Sequence, residues 1–171
     1  MKGYIHIYTG NGKGKSTAAF GLALRAVGDG KRVYIGQFVK GRVYSEVIAI
    51  KKYLPGITVR QFGRGCFIIN SPTEEDVKLA REGLAEVGKV LISGEYDIAV
   101  LDEVTIALYY NLFSVQELID LLKKRANNME IIITGRYSPA ELIDFADLVT
   151  DMREVKHYYQ QGVKAREGIE F

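Results

Sequence analysis

Six short apolar runs, Ile5–Tyr8, Val33–Val39, Ile57–Phe62, Ile98–Leu101, Ile131–Thr134 and Leu148–Thr150, are separated for the most part by stretches of helical periodicity. Alternation of this kind selects an α/β fold with a mostly parallel central sheet, because a parallel pairing needs a crossover long enough to hold a helix. The longest crossover follows Ser71, where Val77, Ala80, Leu84, Val87 and Leu91 keep one stripe of a helix expected to stop near Gly94. Three segments, Ser71-Pro72-Thr73-Glu74, Ser114-Val115-Gln116-Glu117 and Ser138-Pro139-Ala140-Glu141, read as capping boxes in which the serine caps and the glutamate reaches back. For the final segment, Val155–Phe171, a hairpin and an extended tail both fit the pattern.

A chain of 171 residues, 47% hydrophobic, is expected to form one domain over 1–171 with a sizeable core. A net charge of +2 supplies no basic field for nucleic acid, and Lys51-Lys52 and Lys123-Lys124-Arg125 read as solvated helix faces. No apolar run approaches the roughly 20 residues of a membrane span, and no signal peptide precedes the first strand, so a cytoplasmic protein is expected. The single cysteine, Cys66, excludes an intrachain disulfide and a multi-cysteine zinc site.

Chemistry concentrates first in Gly10-Asn11-Gly12-Lys13-Gly14-Lys15-Ser16-Thr17, between the first strand and a helix striped by Ala18, Leu22, Ala23 and Ala26. Backbone N–H groups freed by glycines can turn onto polyphosphate, Lys15 adds a point charge, and the Ser16 hydroxyl can ligate Mg²⁺. The spacing is irregular, since the usual GxxxxGK[ST] pattern would need a glycine at Thr9. With a P-loop in first position, the expected architecture is a three-layer, RecA-like P-loop NTPase fold. A dinucleotide fingerprint is a poorer match, because Lys15 stands where GxGxxG needs its third glycine.

The fourth apolar run ends in Asp102-Glu103, at the sheet edge where the glycine loop must also lie. Carboxylates placed there can hold Mg²⁺ directly or through water, together with Ser16. Gly135-Arg136, after the fifth run, would bring a cation to the same edge, able to bind phosphate or offset developing charge. Spacing alone leaves several functions open. An ATPase would use Glu103 to polarise water, and a small-molecule kinase would use the same cradle.

Several blocks together resemble the ATP:corrinoid adenosyltransferases of the CobA/CobO/BtuR type. They are Tyr8-Thr9-Gly10-Asn11-Gly12-Lys13-Gly14-Lys15-Ser16-Thr17-Ala18-Ala19, Gln37-Phe38-Val39-Lys40-Gly41, Leu101-Asp102-Glu103, Ile133-Thr134-Gly135-Arg136 and the tail from Val155 to Phe171. The resemblance implies transfer of the 5′-deoxyadenosyl group of ATP to the Co(I) of a reduced corrinoid, cobalamin or a precursor, with release of triphosphate. Lys15 and Arg136 become the catalytic candidates, residues 10–17 the ATP cradle, and Ser16, Asp102 and Glu103 the ligands of Mg²⁺ or Mn²⁺. The loop then serves a leaving group, held in reversed polarity compared with common P-loop enzymes.

The same resemblance assigns corrinoid contacts to an apolar loop after the third strand, here Cys66, Phe67 and Ile68. Relatives carry a tryptophan there and this chain has none. It also implies a homodimer and a reductant protein such as a flavodoxin or flavin reductase. Some relatives have an arm ahead of the first strand, whereas this sequence enters that strand at once; with the missing tryptophan, that departure leaves a non-enzymatic ATP-responsive sensor or ATP/corrinoid-binding carrier as an alternative. His6 and His157 are read as hydrogen-bonded structural histidines.

Overall fold

The computed structural model describes residues 2–65, 68 and 71–171. In chain order the elements are β1 (Ile5–Thr9), α1 (Lys15–Gly28), β2 (Val33–Phe38), α2 (Ser45–Tyr53), β3 (Ile57–Phe62), α3 (Glu74–Ser93), β4 (Ile98–Asp102), α4 (Val104–Tyr109), α5 (Val115–Lys123), β5 (Glu130–Thr134), α6 (Ala140–Phe145) and β6 (Leu148–Asp151). The strands form one six-stranded sheet in the order β3-β2-β4-β5-β1-β6. Every pairing is parallel. The sheet is thus wholly rather than mostly parallel, and each expected strand is present.

The period of two along each strand divides the core between the two faces of the sheet. Ile5, Ile7, Tyr34, Phe38, Ala99, Leu101, Ile131 and Ile133 pack with α3 and α5 through Leu84, Val87, Leu91, Leu118 and Leu122. On the other face Val33, Ile35, Ile98, Val100 and Ile132 meet Ala19, Ala23 and Ala26 of α1 and Ile50 of α2. Small alanines let α1 approach the sheet closely. Its buried stripe is Lys15, Ala19, Ala23 and Ala26, with Ala18 and Leu22 at its margins.

The helix starts refine the capping pattern. Ser114 and Glu117 do form a capping box. Before α3 the cap is Thr73, with Asp76 reaching back, rather than Ser71 with Glu74. Starting at Glu74 puts Glu74, Glu75 and Asp76 in the first turn, where the helix dipole favours negative charge. Asp76 also takes Arg64 in a two-pronged pair at 2.7 and 2.9 Å. The third box is absent. The residue preceding α6 is Pro139, so Glu141 falls second in the helix, one position short of reaching back, and the buried Ser138 hydroxyl has no hydrogen-bond partner.

The C-terminal segment is neither hairpin nor extended tail. Residues Tyr158–Gln161 form a short 3-10 turn begun by His157, whose side chain accepts from the Tyr159 N–H. Beyond it the chain returns over the glycine loop, where Tyr158 and Glu170 take the Lys13 ammonium. His6, the other histidine, bonds Glu130 at 2.5 Å. Among the described residues no helix is long and apolar enough to cross a membrane.

Candidate active site at the carboxyl edge of the sheet

Strand alternation assembles the floor of the site. Val33, Ile35 and Gln37 lie on one face of β2, Ile98, Val100 and Asp102 on the same face of β4, and Ile132 and Thr134 on that of β5. The last residue of each series is polar, and the register sets Gln37 beside Asp102 and Tyr8 beside Thr134. All three polar side chains face α1, whose first two residues are Lys15 and Ser16.

Asp102 is fully buried and is the hub of the site. One carboxylate oxygen accepts from the hydroxyls of Ser16 and Thr134, each at 2.7 Å. The other accepts from the Gln37 amide at 3.1 Å and the Lys40 ammonium at 2.8 Å. Burial alone would raise its pKa, but Lys40 and the two hydroxyls outweigh that and hold the carboxyl below its usual range. Lys40 responds in the opposite sense. Its burial opposes charge, yet the Asp102 carboxylate keeps the ammonium above its ordinary pKa.

Glu103 follows in a left-handed conformation, with φ of 57°, that turns β4 into α4. Its N–H donates to the Thr134 hydroxyl at 3.0 Å. Among the described residues its carboxylate makes no hydrogen bond, and burial followed by repulsion from Asp102 pushes its pKa up against Lys40, Lys15 and Arg136. A carboxylate kept near three cations without a hydrogen bond is an acceptor in reserve.

The glycine loop arches over this floor. Lys15 is almost wholly inaccessible and donates to the Gly12 carbonyl at 2.7 Å. Burial lowers its pKa, with the Glu103 carboxylate acting against that shift. Arg136 reaches across from the end of β5 to the Asn11 carbonyl at 3.4 Å. Its own carbonyl is held by the Thr105 hydroxyl at 2.7 Å. Gly14 immediately precedes α1, and the Thr17 side chain is exposed in its first turn.

Two of the glycines answer to the neighbouring chain. At Gly10, with φ of +94°, a Cβ would stand 2.1 Å from a carboxylate oxygen of Asp151, and at Gly12 it would stand 2.5 Å from the Met152 carbonyl. The Gly12 N–H donates to that carbonyl at 2.6 Å, and the Met152 N–H to the Thr9 carbonyl at 2.9 Å. The loop is therefore locked to the segment leaving β6.

Lys15, Ser16, Asp102, Glu103 and Arg136, singled out from the sequence, converge on one edge of the sheet. Lys13 instead turns outward to the tail, meeting Tyr158, the Ile169 carbonyl at 3.0 Å and Glu170 at 2.9 Å. Of the expected corrinoid contacts, Cys66 and Phe67 lie outside the described residues. Ile68 packs partly buried against the larger core cluster, and its carbonyl accepts from the Tyr110 hydroxyl at 3.3 Å. Gln37, Lys40 and Thr134 were not picked out as site residues. For Gln37 and Thr134 the available signal was a polar residue closing an otherwise apolar strand face.

The oxygen-rich donor set suits a hard cation. Ser16 and the unbonded Glu103 carboxylate could hold Mg²⁺, while Asp102, with both oxygens already engaged, would orient Ser16 or act through water. Among the described residues no group of three or more His, Cys, Asp or Glu side chains is arranged for a metal. A hydroxyl with one or two carboxylates is a donor set that Mg²⁺, which keeps several waters, can use.

A glycine loop between β1 and α1, facing an acid-tipped strand across a parallel sheet, defines an α/β protein with its site at the carboxyl ends of the strands. The chain belongs to the ATP:corrinoid adenosyltransferase family BtuR/CobO/CobP, whose pattern it matches over residues 1–171. It is 36% identical over 171 residues to the corrinoid adenosyltransferase of Escherichia coli K12, covering 99% of this chain and 86% of that protein. Identity to the corrinoid adenosyltransferase CobA of Salmonella typhimurium is 37% over 172 residues, again covering 99% and 86%. A Pseudomonas aeruginosa corrinoid adenosyltransferase is 30% identical over 99% of this chain and 84% of its own length.

Proposed function

We propose that this protein, acting as one domain over 1–171, transfers the 5′-deoxyadenosyl group of ATP to the Co(I) of a reduced corrinoid. The cobalt electron pair forms a bond to C5′, the C5′–O bond breaks, and the electron pair leaves with inorganic triphosphate. The observation that carries this reading is the gathering of Lys15, Lys40 and Arg136 around the carboxylates of Asp102 and Glu103, directly beneath the glycine loop. Cations gathered at a partly buried site favour a group whose negative charge grows as it departs.

In this reading Lys15 leaves the Gly12 carbonyl to meet the triphosphate, and Arg136 binds it from the β5 side. Ser16 and Glu103 hold Mg²⁺ or Mn²⁺, which would supply charge neutralisation of the polyphosphate. Asp102 fixes Ser16 and Lys40 in place. The chemistry needs positioning and charge stabilisation and no general base. Residues 63–70 serve the corrinoid. The enzyme is cytoplasmic and dimeric, and a flavodoxin or flavin reductase supplies the electron.

The test is an incubation of protein, ATP, Mg²⁺, corrinoid and a strong reductant. Intact triphosphate and a light-sensitive adenosylated corrinoid are expected in equal amounts. Corrinoid-independent release of ADP and phosphate would overturn the transferase reading in favour of an ATPase.

A further inference from the structure

Beside the glycine loop lies a cavity of about 220 Å³ between Gly12 and Lys13 and the segment leaving β6. Arg153 and Lys156 line it, and among the described residues neither side chain has an ion pair or a hydrogen bond. The acidic residue in the wall, Glu154, is engaged by the Gln160 amide. The Nδ1 of His157 accepts from the Tyr159 N–H, and Lys13 is matched by Glu170. Lys13, Arg153 and Lys156 thus outnumber the Glu154 carboxylate in the lining, and Glu170, which pairs with Lys13, also serves Arg166.

The backbone that leads into Arg153 and Lys156 is tied to the loop. The Met152 backbone is bonded to Gly12 on one side and Thr9 on the other. The missing Cβ atoms at Gly10 and Gly12 are what let Asp151–Arg153 come so close. An excess of cations held against a phosphate-type loop, two of them without an ion pair among the described residues, makes an electrostatic site for an oxyanion.

We propose that this cavity is a second anion subsite, in which Arg153 and Lys156 bind a phosphate group of a polyphosphate whose remainder lies in the glycine loop. The inference rests on the reading of that loop as a triphosphate holder and extends it to the tail. It gives the segment after β6 a direct role in retaining triphosphate, and makes Lys13, shared between loop and tail, the hinge between the two subsites.

Calorimetric titration of the full chain with inorganic triphosphate, and separately with inorganic phosphate, in 0.15 M salt tests it, where the Debye length of about 8 Å mutes distant charges. The variants are Arg153→Ala/Lys156→Ala, Lys15→Ala, and Lys51→Ala/Lys52→Ala, the last removing the same charge at the far end of α2. The first pair should weaken triphosphate binding about tenfold or more, as expected for losing a charge-assisted contact. It should weaken phosphate much less, and the α2 pair should change neither. Equal loss in the two double variants would reduce the effect to net charge and overturn the subsite. Loss confined to Lys15→Ala would overturn it too, while leaving the transferase reading intact, since that reading is decided by the adenosylated product.

Discussion

The Lys40 ammonium lies 2.8 Å from a carboxylate oxygen of Asp102, a side chain with no exposure to solvent. The pair joins the ends of β2 and β4, so the ion pair that neutralises the site floor also ties two strands together. Replacing Lys40 by methionine leaves Asp102 buried with only neutral donors. Lys40→Met is expected to cost about 3 kcal/mol of stability, in the range for breaking one partner of a buried pair. Urea unfolding reads it directly, and an unchanged midpoint would show that the hydroxyls and Gln37 suffice.

Lys15 makes its bond to the loop's own Gly12 carbonyl and no ion pair among the described residues. Lys15→Ala should therefore abolish adenosyl transfer while the unfolding midpoint stays close to that of the parent. Near-normal turnover in that variant would refute its role as the phosphate cation.

Gly12 and Gly28 separate close packing from backbone propensity. A Cβ at Gly12 would meet the Met152 carbonyl at 2.5 Å, whereas one at Gly28 would have nothing within 4 Å. Gly12→Ala should destabilise by about 2 kcal/mol, as overpacking does, and weaken ATP binding. Gly28→Ala, in the last turn of α1, should leave both unchanged or add a few tenths of a kcal/mol of stability, on the order expected from helix propensity.

The start of α3 distinguishes two neighbouring hydroxyls. Thr73→Ala removes the oxygen that accepts from the Asp76 N–H and should cost about 1 kcal/mol. Ser71→Ala should cost far less. Equal losses in thermal unfolding would return the cap to Ser71.

Asp76 carries a pH signature. Burial alone would raise its pKa, but Arg64 and Thr73 hold it below the usual carboxylate range. A carboxyl whose folded pKa is depressed contributes stability that is present above its unfolded value, about 3.9, and lost as pH falls through the folded value. Asp76→Asn should be less stable than the parent at pH 7, by about 2 kcal/mol for a lost charged hydrogen-bonded pair. The gap should narrow from about pH 5 downward. A gap independent of pH would assign the loss to shape rather than charge.

The strands were legible because their signal is local. Apolar runs such as Ile98–Leu101 survive any tertiary arrangement, and the glycine-to-serine stretch at 10–17 announces a strand–loop–helix junction by spacing alone. Asp102 and Glu103 were legible for the same reason, standing at the end of such a run. Gln37 and Thr134 were readable in principle, since each continues a buried alternation with a polar side chain. Lys40 was not, because nothing in its neighbourhood states which carboxylate it will meet 62 residues away.

By itself, then, the sequence determined the α/β architecture, the phosphate-type loop and its acidic counterpart, all consequences of hydrophobic periodicity and glycine spacing within a few residues. Only the tertiary structure decided how those parts are used. It set Lys40 on Asp102, turned Lys13 to the tail and packed Met152 against Gly10 and Gly12, because each contact joins segments far apart in the chain and depends on the strand order that brings them together.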